Sequence, residues 1–243
     1  MNRSQLLIIG SFLLLAGCTK DQGKEIPSFG LIAKISFDGS AFDEVNNISG
    51  INHAAALTAD HRGIANRAMY FKSHDSSYVD FGSDRNFSFP QKVFTLSCWV
   101  FVTQASQPIT ILSKRTPFGP FEYSLDNHMN KSVFNFDNWI SSGATTVYGT
   151  DPLAASVPIT LNQWQHIAVL ADGMTLKVYS NGQLMPGVDY IKSGNSFSDT
   201  DAPFQIGVGG GYGKNYFFEG AIDEVLIYDR VLSEEEIVLL SSL

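Results

Sequence analysis

The chain of 243 residues is poor in the features that several protein classes require. It has two cysteines, and its 16 lysines and arginines are outnumbered by 24 acidic residues and form no cluster. This acidic balance argues against nucleic-acid binding, which depends on a basic surface, and against electrostatic docking to anionic lipid. The N-terminal apolar run, residues 6–16, is shorter than the roughly 20 helical residues that cross a bilayer.

The N-terminus predicts export and lipidation. Arg3 precedes the apolar run, and Leu15-Ala16-Gly17-Cys18 ends it. This segment resembles the bacterial lipobox, in which the signal peptide is removed before a cysteine that is then acylated. We expect residues 1–17 to be the signal peptide, Cys18 to carry the lipid that holds the protein at a membrane, and residues 18–27 to form a flexible tether. The alternative is an ordinary secretory signal with a chance cysteine.

Two further residues extend this prediction. Thr19 stands where an aspartate would favour retention in an inner membrane, so by analogy with other lipoproteins we expect an outer-membrane protein, periplasmic or surface-facing. Because Cys18 is expected to carry lipid, Cys98 has no partner and no intramolecular disulfide is expected. Residues 28–243 are long enough to bury a core of their own, and we predict one domain there.

Past residue 28, the hydrophobic pattern is that of β-strands. Residues 94–102 alternate between an apolar face and a second, mixed face. The apolar positions are Phe94, Leu96, Cys98, Val100 and Val102. Asp172-Gly173 and Asn181-Gly182 separate further strand patterns and are typical of hairpin turns. Helix is scarce: Ser233 and Glu236 form a capping-box pattern before a short apolar run. The pattern indicates an all-β sandwich, jelly roll or barrel with a short C-terminal helix.

Several short motifs occur in the order that they have in a known family. They are residues 37–39 with Asp43, then 68–71, 78–81, 94–100, 164–168, 179–182 and 217–233. Together they resemble the laminin-G-like, concanavalin A-like lectin and glucanase domain, in its pentraxin-related branch. The resemblance implies a two-sheet antiparallel jelly-roll sandwich. Residues 103–158 match no segment of the family, and this is the region where its members differ in ligand.

The resemblance also implies a calcium ion where the opening loop meets the closing strand. Calcium takes about six to eight oxygen ligands. The candidate ligands are Asp43, Asn46, Asn47 and Asp223, with backbone carbonyls of the first loop. An ion held there would be structural. The alternative is that Asp43 and Asn46 form turns and that Asp223 pairs with a nearby amide.

Other patterns argue against catalysis. The chain lacks the His-Glu-Xaa-Xaa-His and Cys-Xaa-Xaa-Cys motifs of zinc sites, and its glycine-rich segment 207–213 lacks the Gly-Lys-Ser/Thr of a phosphate loop. That segment is typical of a hairpin or rim loop. The hydrolases of the family carry paired carboxylates as Glu-Xaa-Asp-Xaa-Xaa-Glu, which is missing here. Glu219 with Asp223, and Glu122 with Asp126, are the nearest substitutes.

Binding is therefore the predicted function, and its ligand is a polysaccharide or a glycoprotein glycan. Sugars stack on aromatic rings while polar side chains bind their hydroxyls. The candidate aromatic residues, which lie in turn-rich segments, are Trp139, Tyr148, Tyr212, Tyr216 and Phe217. Trp99 and Trp164 belong to the family motifs, and we expect them to be packing residues. Two alternatives remain open: a protein-binding adhesion module and, less favoured, a glycoside hydrolase.

Overall fold

The computed structural model describes residues 25–119, 121–127, 132–138, 156–187, 189–190, 199–211 and 213–243. These ranges form two large antiparallel β-sheets around one hydrophobic core, two small hairpin sheets and one C-terminal α-helix. The prediction of an all-β jelly-roll sandwich with a short terminal helix is confirmed. Within this part of the chain, no helix has the length and apolar character that crossing a bilayer takes.

The strands up to the middle of the chain are β1 (Leu31–Ile35), β2 (Phe42–Asp43), β3 (Ile48–Ser49), β4 (Ile51–His53), β5 (Ala56–Thr58), β6 (Ala68–Phe71), β7 (Tyr78–Asp80), β8 (Val93–Val102), β9 (Thr110–Arg115) and β10 (Phe121–Asp126). The remaining elements are β11 (Val133–Asn138), β12 (Val157–Pro158), β13 (Trp164–Asp172), β14 (Thr175–Ser180), β15 (Gln183–Leu184), β16 (Asp189–Tyr190), β17 (Phe204–Ile206), β18 (Val208–Gly211), β19 (Lys214–Phe217), β20 (Gly220–Tyr228) and the helix α1 (Glu234–Leu240). A 3-10 turn, Arg85–Phe87, precedes β8.

The two large sheets are assembled from strands that are distant in sequence. One has nine strands in the order β15-β14-β13-β8-β20-β6-β5, with β1 also pairing with β20 and β16 with β14. The other has seven strands in the order β12-β11-β10-β9-β17-β7-β4. Every pairing between these strands is antiparallel. Crossovers between the sheets are the connections expected of a jelly roll.

Alternation along the strands decides which side chains enter the core. On β8 the five residues predicted to share the apolar face are all fully buried. An aromatic ring of the other sheet meets this face, since the ring centroids of Phe94 and Phe136 lie 5.3 Å apart. Elsewhere in the core, Phe87 stacks on Phe204 at 4.3 Å. Each buried large apolar side chain contributes roughly 1.5–3 kcal/mol relative to an exposed one. Burial also raises the pKa of the Cys98 thiol to about 12, so this free cysteine is unreactive.

The C-terminal helix adds a layer that the sequence pattern did not predict. Ser233 caps α1 and Glu236 reaches back to the Ser233 amide, which confirms the predicted capping box. Ile237 and Leu240 of the helix pack with Leu226 and other apolar residues in a second hydrophobic cluster. Leu226 pairs in register with Ser97 on the mixed face of β8, so α1 lies on the outer face of the nine-stranded sheet.

A glycine-rich hairpin lies against the seven-stranded sheet. Strand β18 pairs with β19, which confirms the hairpin interpretation of this segment. A Cβ atom on Gly209 would approach the side chain of Thr110 to 2.7 Å, and one on Gly211 would approach Arg115 Nη2 to 2.7 Å. Glycine at position 209 therefore lets β18 lie close to β9, since the short side chain of Thr110 has little room to move, whereas the end of the Arg115 side chain could shift away from position 211.

Candidate functional site

Four of the predicted site residues fall outside the part of the chain that the structure describes. They are Cys18, Trp139, Tyr148 and Tyr212. Lipidation at Cys18 and ligand binding by the three aromatic residues therefore stay predictions. The other two aromatic candidates, Tyr216 and Phe217, are described and are half-buried on β19 of the glycine-rich hairpin.

The proposed calcium ligands near the N-terminus form a hydrogen-bonded turn. Asp43 is fully buried. Its Oδ1 accepts from the amides of Lys34 and Val45, both at 3.0 Å, and its Oδ2 accepts from Asn46 Nδ2 at 2.6 Å. Asn47 follows in the left-handed region, with a φ of 56°. These contacts match the alternative stated for Asp43 and Asn46, because N–H groups occupy the oxygens that a metal would need.

Asp223, the fourth proposed calcium ligand, has other partners. Its Oδ2 lies 3.0 Å from His61 Nδ1, and its Oδ1 accepts from the amide of Glu224 at 2.9 Å. In the described residues, no group of three or more histidine, cysteine, aspartate or glutamate side chains is placed to hold a metal ion. The donor set that is present does not fit a calcium site. The family resemblance predicts calcium binding here, whereas these contacts predict none, and titration with calcium tests the two expectations against each other.

One candidate ligand site is a cleft at an edge of the sandwich, which we call the rim cleft. Its volume is about 200 Å³. Ser73, Gln104, Gln107, Asn215, Phe217 and Glu219 line it. The polar members come from three segments: the turn before β7, the loop after β8 and the hairpin strand β19 with the residues that follow it. One aromatic ring, three amides and a carboxylate thus converge on an open cleft.

Hydrogen bonds fix the carboxylate of the rim cleft. Glu219 Oε2 accepts from Ser73 N at 2.9 Å and from Ser73 Oγ at 2.5 Å. The Glu219 carbonyl accepts from the amide of Thr103 at 3.0 Å, which ties the loop carrying Gln104 and Gln107 to the end of the hairpin. Both glutamines are exposed. Gln104 Nε2 donates to Ser106 Oγ at 2.6 Å. The cleft therefore combines an anchored carboxylate with two exposed amide side chains.

Aromatic rings continue from the rim cleft across the outer face of the seven-stranded sheet. The ring of Phe217 lies 6.3 Å from that of Tyr78, and Tyr78 stacks on His53 at 4.2 Å with an interplanar angle of 10°. Tyr216 precedes Phe217 on the same hairpin strand. Planar rings in a row on a sheet face are a surface on which the apolar face of a sugar can stack.

Both carboxylates of the first candidate catalytic pair are hydrogen-bonded inside the seven-stranded sheet. Glu122 and Asp126 are buried on β10. Glu122 Oε1 accepts from Lys114 Nζ at 2.8 Å, and Asp126 Oδ2 accepts from Ser124 Oγ at 2.6 Å. Glu219 and Asp223, the other pair, are bonded to Ser73 and His61 as described above. Each of these contacts is of the kind that holds a fold together.

A second cavity lies on the other sheet, and we call it the histidine pocket. Its volume is about 190 Å³. Its polar lining residues are Lys34, His61, Arg62, Ser97, His166 and Glu224. The remaining lining residues are Trp99 and the aliphatic side chains of Ile26, Leu226, Leu240 and Leu243. The two tryptophans of the family motifs pack here and not in the inter-sheet core: His61 stacks on Trp99 at 4.3 Å and meets Trp164 edge-on at 6.3 Å.

Burial shifts the pKa values of the groups in the histidine pocket. Desolvation, aided by the nearby His61, lowers the pKa of His166 to about 3, so this ring is neutral at physiological pH. Desolvation and the charge of Asp223 raise the pKa of Glu224 to about 7. Desolvation also raises the pKa of Asp223, against the opposing effect of His61. Ionised carboxylates are costly in this pocket.

Sequence reasoning missed most of the residues of both cavities. Gln104 and Gln107 lie in the segment that matches no family motif, and no periodicity marks them. His61 lies in a turn held by Asp60, whose Oδ1 accepts from the amides of Arg62 and Ile64. That Asp-Xaa-Arg-Gly turn was the available signal, but nothing in it predicts contact with Asp223, which is 162 residues away.

Comparison with known proteins gives one family. The family model for laminin G domains of the concanavalin A-like lectin/glucanases superfamily matches residues 73–238. Pentraxin-related protein PTX3 of Mus musculus is 28% identical over 156 residues, which is 59% of this chain and 37% of that protein. The match thus spans well under half of the curated relative.

Solved structures share the fold at low sequence identity. Domain 4 of AbnA, an extracellular arabinanase from Geobacillus stearothermophilus solved in complex with arabinotriose, has a TM-score of 0.65 at 21% identity, covering 87% of this chain and 98% of that one. The binding domain of botulinum neurotoxin DC in complex with SialylT has a TM-score of 0.62 at 11% identity, covering 88% of this chain and 51% of that one. At these identities the likeness concerns the fold.

Proposed function

Since the chain belongs to the concanavalin A-like lectin/glucanases superfamily, we propose that it binds a carbohydrate without cleaving it, and that the rim cleft is the binding site. The ligand is a polysaccharide or the glycan of a glycoprotein. The family includes both lectins and glucanases, so family membership is compatible with binding and with cleavage, and the residues of the site are the evidence for one or the other.

One observation carries the proposal: the rim cleft pairs an aromatic ring with several hydrogen-bonding side chains in a space open to solvent. Gln104, Gln107 and Asn215 each offer an amide donor and an amide acceptor, which suits hydroxyl groups. Phe217 supplies a ring that can stack on a sugar. A sugar site needs this combination of flat apolar surface and neutral polar groups.

Two structural relatives support a carbohydrate ligand. The arabinanase domain was solved with arabinotriose and the neurotoxin binding domain with SialylT. Both domains share the fold with this chain but not its sequence, so they support the ligand class and do not identify a ligand.

The contacts of the carboxylates support binding without cleavage. A glycoside hydrolase needs one carboxyl group to protonate the leaving oxygen and a second to act as base or nucleophile. Glu122 is ion-paired with Lys114 and 1% exposed, and Glu219 is bonded to Ser73. In this arrangement the two carboxylates hold strands and loops, and do not stand on both sides of a sugar bond.

The proposed location follows from the N-terminal sequence. Acylation at Cys18 would anchor the protein in the outer membrane, with the sandwich on its periplasmic or outer side. Ile26, near the first described residue, packs against the cluster formed by α1. The tether would therefore join the sandwich at the helix side, and about eight extended residues between Cys18 and Ile26 reach at most roughly 29 Å.

Protein binding is the second candidate, and exposed apolar side chains favour it. Ile51 is 65% exposed and Phe118 is 86% exposed. Ile51 lies on β4 and Phe118 in the loop between β9 and β10, so each would be a separate contact point for a partner protein. An adhesion module would use them, whereas a sugar would be held by the amides of the rim cleft.

A glycan panel tests the proposal. Full-length protein, kept in a detergent without a sugar headgroup, is applied to bacterial and animal polysaccharides and glycoprotein glycans. We expect binding to at least one class and no release of reducing ends on long incubation. Failure to bind across the panel would favour the protein-binding candidate. Release of reducing ends that Glu122→Gln abolishes would show a glycoside hydrolase instead.

A further inference from the structure

The rim cleft contains one charged group, the carboxylate of Glu219. Its other polar lining residues are Ser73, Gln104, Gln107 and Asn215, and the rest of its lining is apolar. Among the described residues that line the cleft, none is a lysine, an arginine or a histidine. A glycan bound there would therefore meet one negative charge among neutral groups, and such a charge favours some ligands over others.

The two oxygens of the Glu219 carboxylate differ in their contacts. Oε2 accepts from the amide of Ser73 at 2.9 Å and from its hydroxyl at 2.5 Å. Oε1 has no hydrogen-bond partner among the described residues, and it is not one of their buried unpartnered atoms, whereas Oε2 of Glu122 is. Oε1 of Glu219 is therefore accessible to solvent. A ligand in the cleft can reach it without breaking the contacts with Ser73.

Backbone contacts fix the position of this carboxylate. The Glu219 carbonyl accepts from the amide of Thr103 at 3.0 Å and from its hydroxyl at 3.2 Å. A Cβ atom on the next residue, Gly220, would clash with the carbonyl oxygen of Phe101, so the chain runs tightly against β8 here. Glu219 is thus held by Thr103 through its backbone and by Ser73 through its side chain. A group that is already fixed loses little freedom when a ligand binds.

The cationic side chains nearest in sequence leave this charge unpaired. Lys72 and His74 flank Ser73, and Lys214 lies on β19, but all three are exposed and none of them lines the cleft. No ion pair within the described part of the chain involves Glu219. The negative charge is therefore available to a cationic group of a ligand.

A sugar with a protonated amino group matches this set of side chains. An ammonium group has donors and no acceptor, and its hydrogen bond to a carboxylate is stronger than a bond between neutral groups. The amides of Gln104, Gln107 and Asn215 can bind the hydroxyl groups of the same sugar, and the ring of Phe217 can contact its C–H face. An acidic sugar would instead bring a second carboxylate close to Glu219, which is unfavourable.

From these contacts we propose that the rim cleft binds a hexosamine unit with a free amine, whose ammonium group pairs with Glu219 Oε1, and that the same carboxylate disfavours acidic sugars. This choice of sugar class rests on the proposed function, since the cleft is the same. Glu219 is then a specificity-determining residue. Because the cleft is open to solvent, salt screens the pairing, and the preference is a matter of several-fold in affinity.

Calorimetry on full-length protein, at low salt and at about pH 6, where aliphatic amines are protonated, tests the proposal. The probes are glucosamine, galactosamine and mannosamine, each compared with its parent sugar, its N-acetylated form and the corresponding uronic acid. N-acetylation keeps the nitrogen and removes the charge. We expect at least one amino sugar to bind about fivefold more tightly than its parent and its N-acetylated form, and its uronic acid to bind most weakly. High salt should reduce this preference.

Two variants and a control assign the preference to Glu219. Glu219→Gln keeps an oxygen that can accept from Ser73 and removes the charge, so amino and neutral sugars should bind equally. Gln107→Arg leaves Glu219 intact and adds a cation to the cleft, and it should have the same effect. Glu235→Gln removes an exposed carboxylate from α1, which lies on the other sheet, and should leave the preference unchanged. Melting temperatures show that each variant is folded.

The proposal would be overturned if no amino sugar binds more tightly than its parent, if uronic acids bind best, or if the preference survives both Glu219→Gln and Gln107→Arg. Loss of the preference in Glu235→Gln would also overturn it, since cations would then be attracted by the net charge of −8 and not by the cleft. In each of these cases, binding of neutral polysaccharides that Gln107→Ala weakens would leave the proposed function standing. Absence of binding by every sugar and polysaccharide would refute both.

Discussion

Two buried carboxylates, one in each large sheet, are supported in different ways. Glu122 of the seven-stranded sheet accepts at Oε1 from Lys114 Nζ, from the amide of Thr200 at 2.7 Å and from its hydroxyl at 2.9 Å. Lys114 also donates to the carbonyls of Thr200 and Ala202, so all three of its protons are bonded. Asp223 of the nine-stranded sheet has a histidine and one amide as partners.

The difference is between a carboxylate neutralised by a lysine and a carboxylate whose partner is a histidine. Around Lys114 the charge is bonded by fixed groups on several strands, and such a network holds the sheet together. Asp223 orients His61, whose other nitrogen is buried and has no partner in the described residues. Each network leaves one buried atom without a partner among the described residues, Glu122 Oε2 in the first and His61 Nε2 in the second. The two networks therefore differ in the cation that neutralises the carboxylate, which is a lysine beside Glu122 and a histidine beside Asp223.

Breaking the Lys114–Glu122 ion pair should lower the free energy of unfolding more than any of the changes that follow. Lys114→Met leaves a buried carboxylate without its cation, and we expect the free energy of unfolding to fall by about 3–5 kcal/mol. Urea denaturation of the full-length protein measures it. The double variant Lys114→Met with Glu122→Leu should recover most of the loss, because no unpaired charge remains. A loss below about 1 kcal/mol in the single variant would refute the structural role.

Glu224 should make stability depend on pH. Its pKa is raised from 4.5 to about 7 in the folded protein. Between these values the folded state holds a proton that the unfolded state has released, so the free energy of unfolding falls as pH rises from about 4.5 to 7. We expect a decline of about 1–3 kcal/mol, given 1.36 kcal/mol per pKa unit and partial solvent screening.

The matched variant for this prediction is Glu224→Gln, which keeps the shape and removes the titration. Its unfolding free energy, followed by urea denaturation at several pH values, should vary less over that interval than that of the wild type. Identical pH profiles for the two proteins would show that Glu224 does not carry the proton.

The stability of α1, which forms one wall of the histidine pocket, should depend on its N-terminal cap. Ser233→Ala removes the side chain that accepts from the Glu236 amide, and we expect a loss of about 1 kcal/mol. Ser241→Ala, at the other end of α1, is the control and should cost less. Thermal unfolding compares them. Equal losses would mean that the cap contributes nothing specific.

Adding or removing calcium should have the smallest effect on stability. The oxygens of Asp43 already accept from two amides and from Asn46. We therefore expect the melting temperature of metal-stripped protein to be unchanged by calcium and by EDTA. A ligand that binds the folded state raises the melting temperature by mass action. A rise with calcium that EDTA reverses would restore the site implied by family resemblance.

The sequence predicted the fold because the fold depends on local patterns. Alternation on β8 identified its core face, and Asn181-Gly182 identified a hairpin, since both residues take the positive φ that the turn needs. Ser233 and Glu236 identified the start of α1. Each of these signals lies within a few residues of the feature that it predicts.

The cavities could not be predicted in the same way, because they depend on contacts between distant residues. Asp223 was recognised as part of a motif, but its partner His61 comes from a turn with no periodic signal. Trp99 was expected to be a packing residue, and alternation places it on the mixed face of β8. That this face forms a pocket became evident only from the positions of α1 and the turn at His61.

The most direct test of the account is the affinity of the rim cleft for the best-binding polysaccharide of the panel. Calorimetry compares wild type with Gln107→Ala, in the cleft, and with Gln183→Ala, an equally exposed glutamine on β15 of the other sheet. We predict that Gln107→Ala weakens binding several-fold, since a hydrogen bond is worth about 1 kcal/mol, and that Gln183→Ala changes nothing. Equal affinities for all three proteins would contradict carbohydrate binding at the rim cleft.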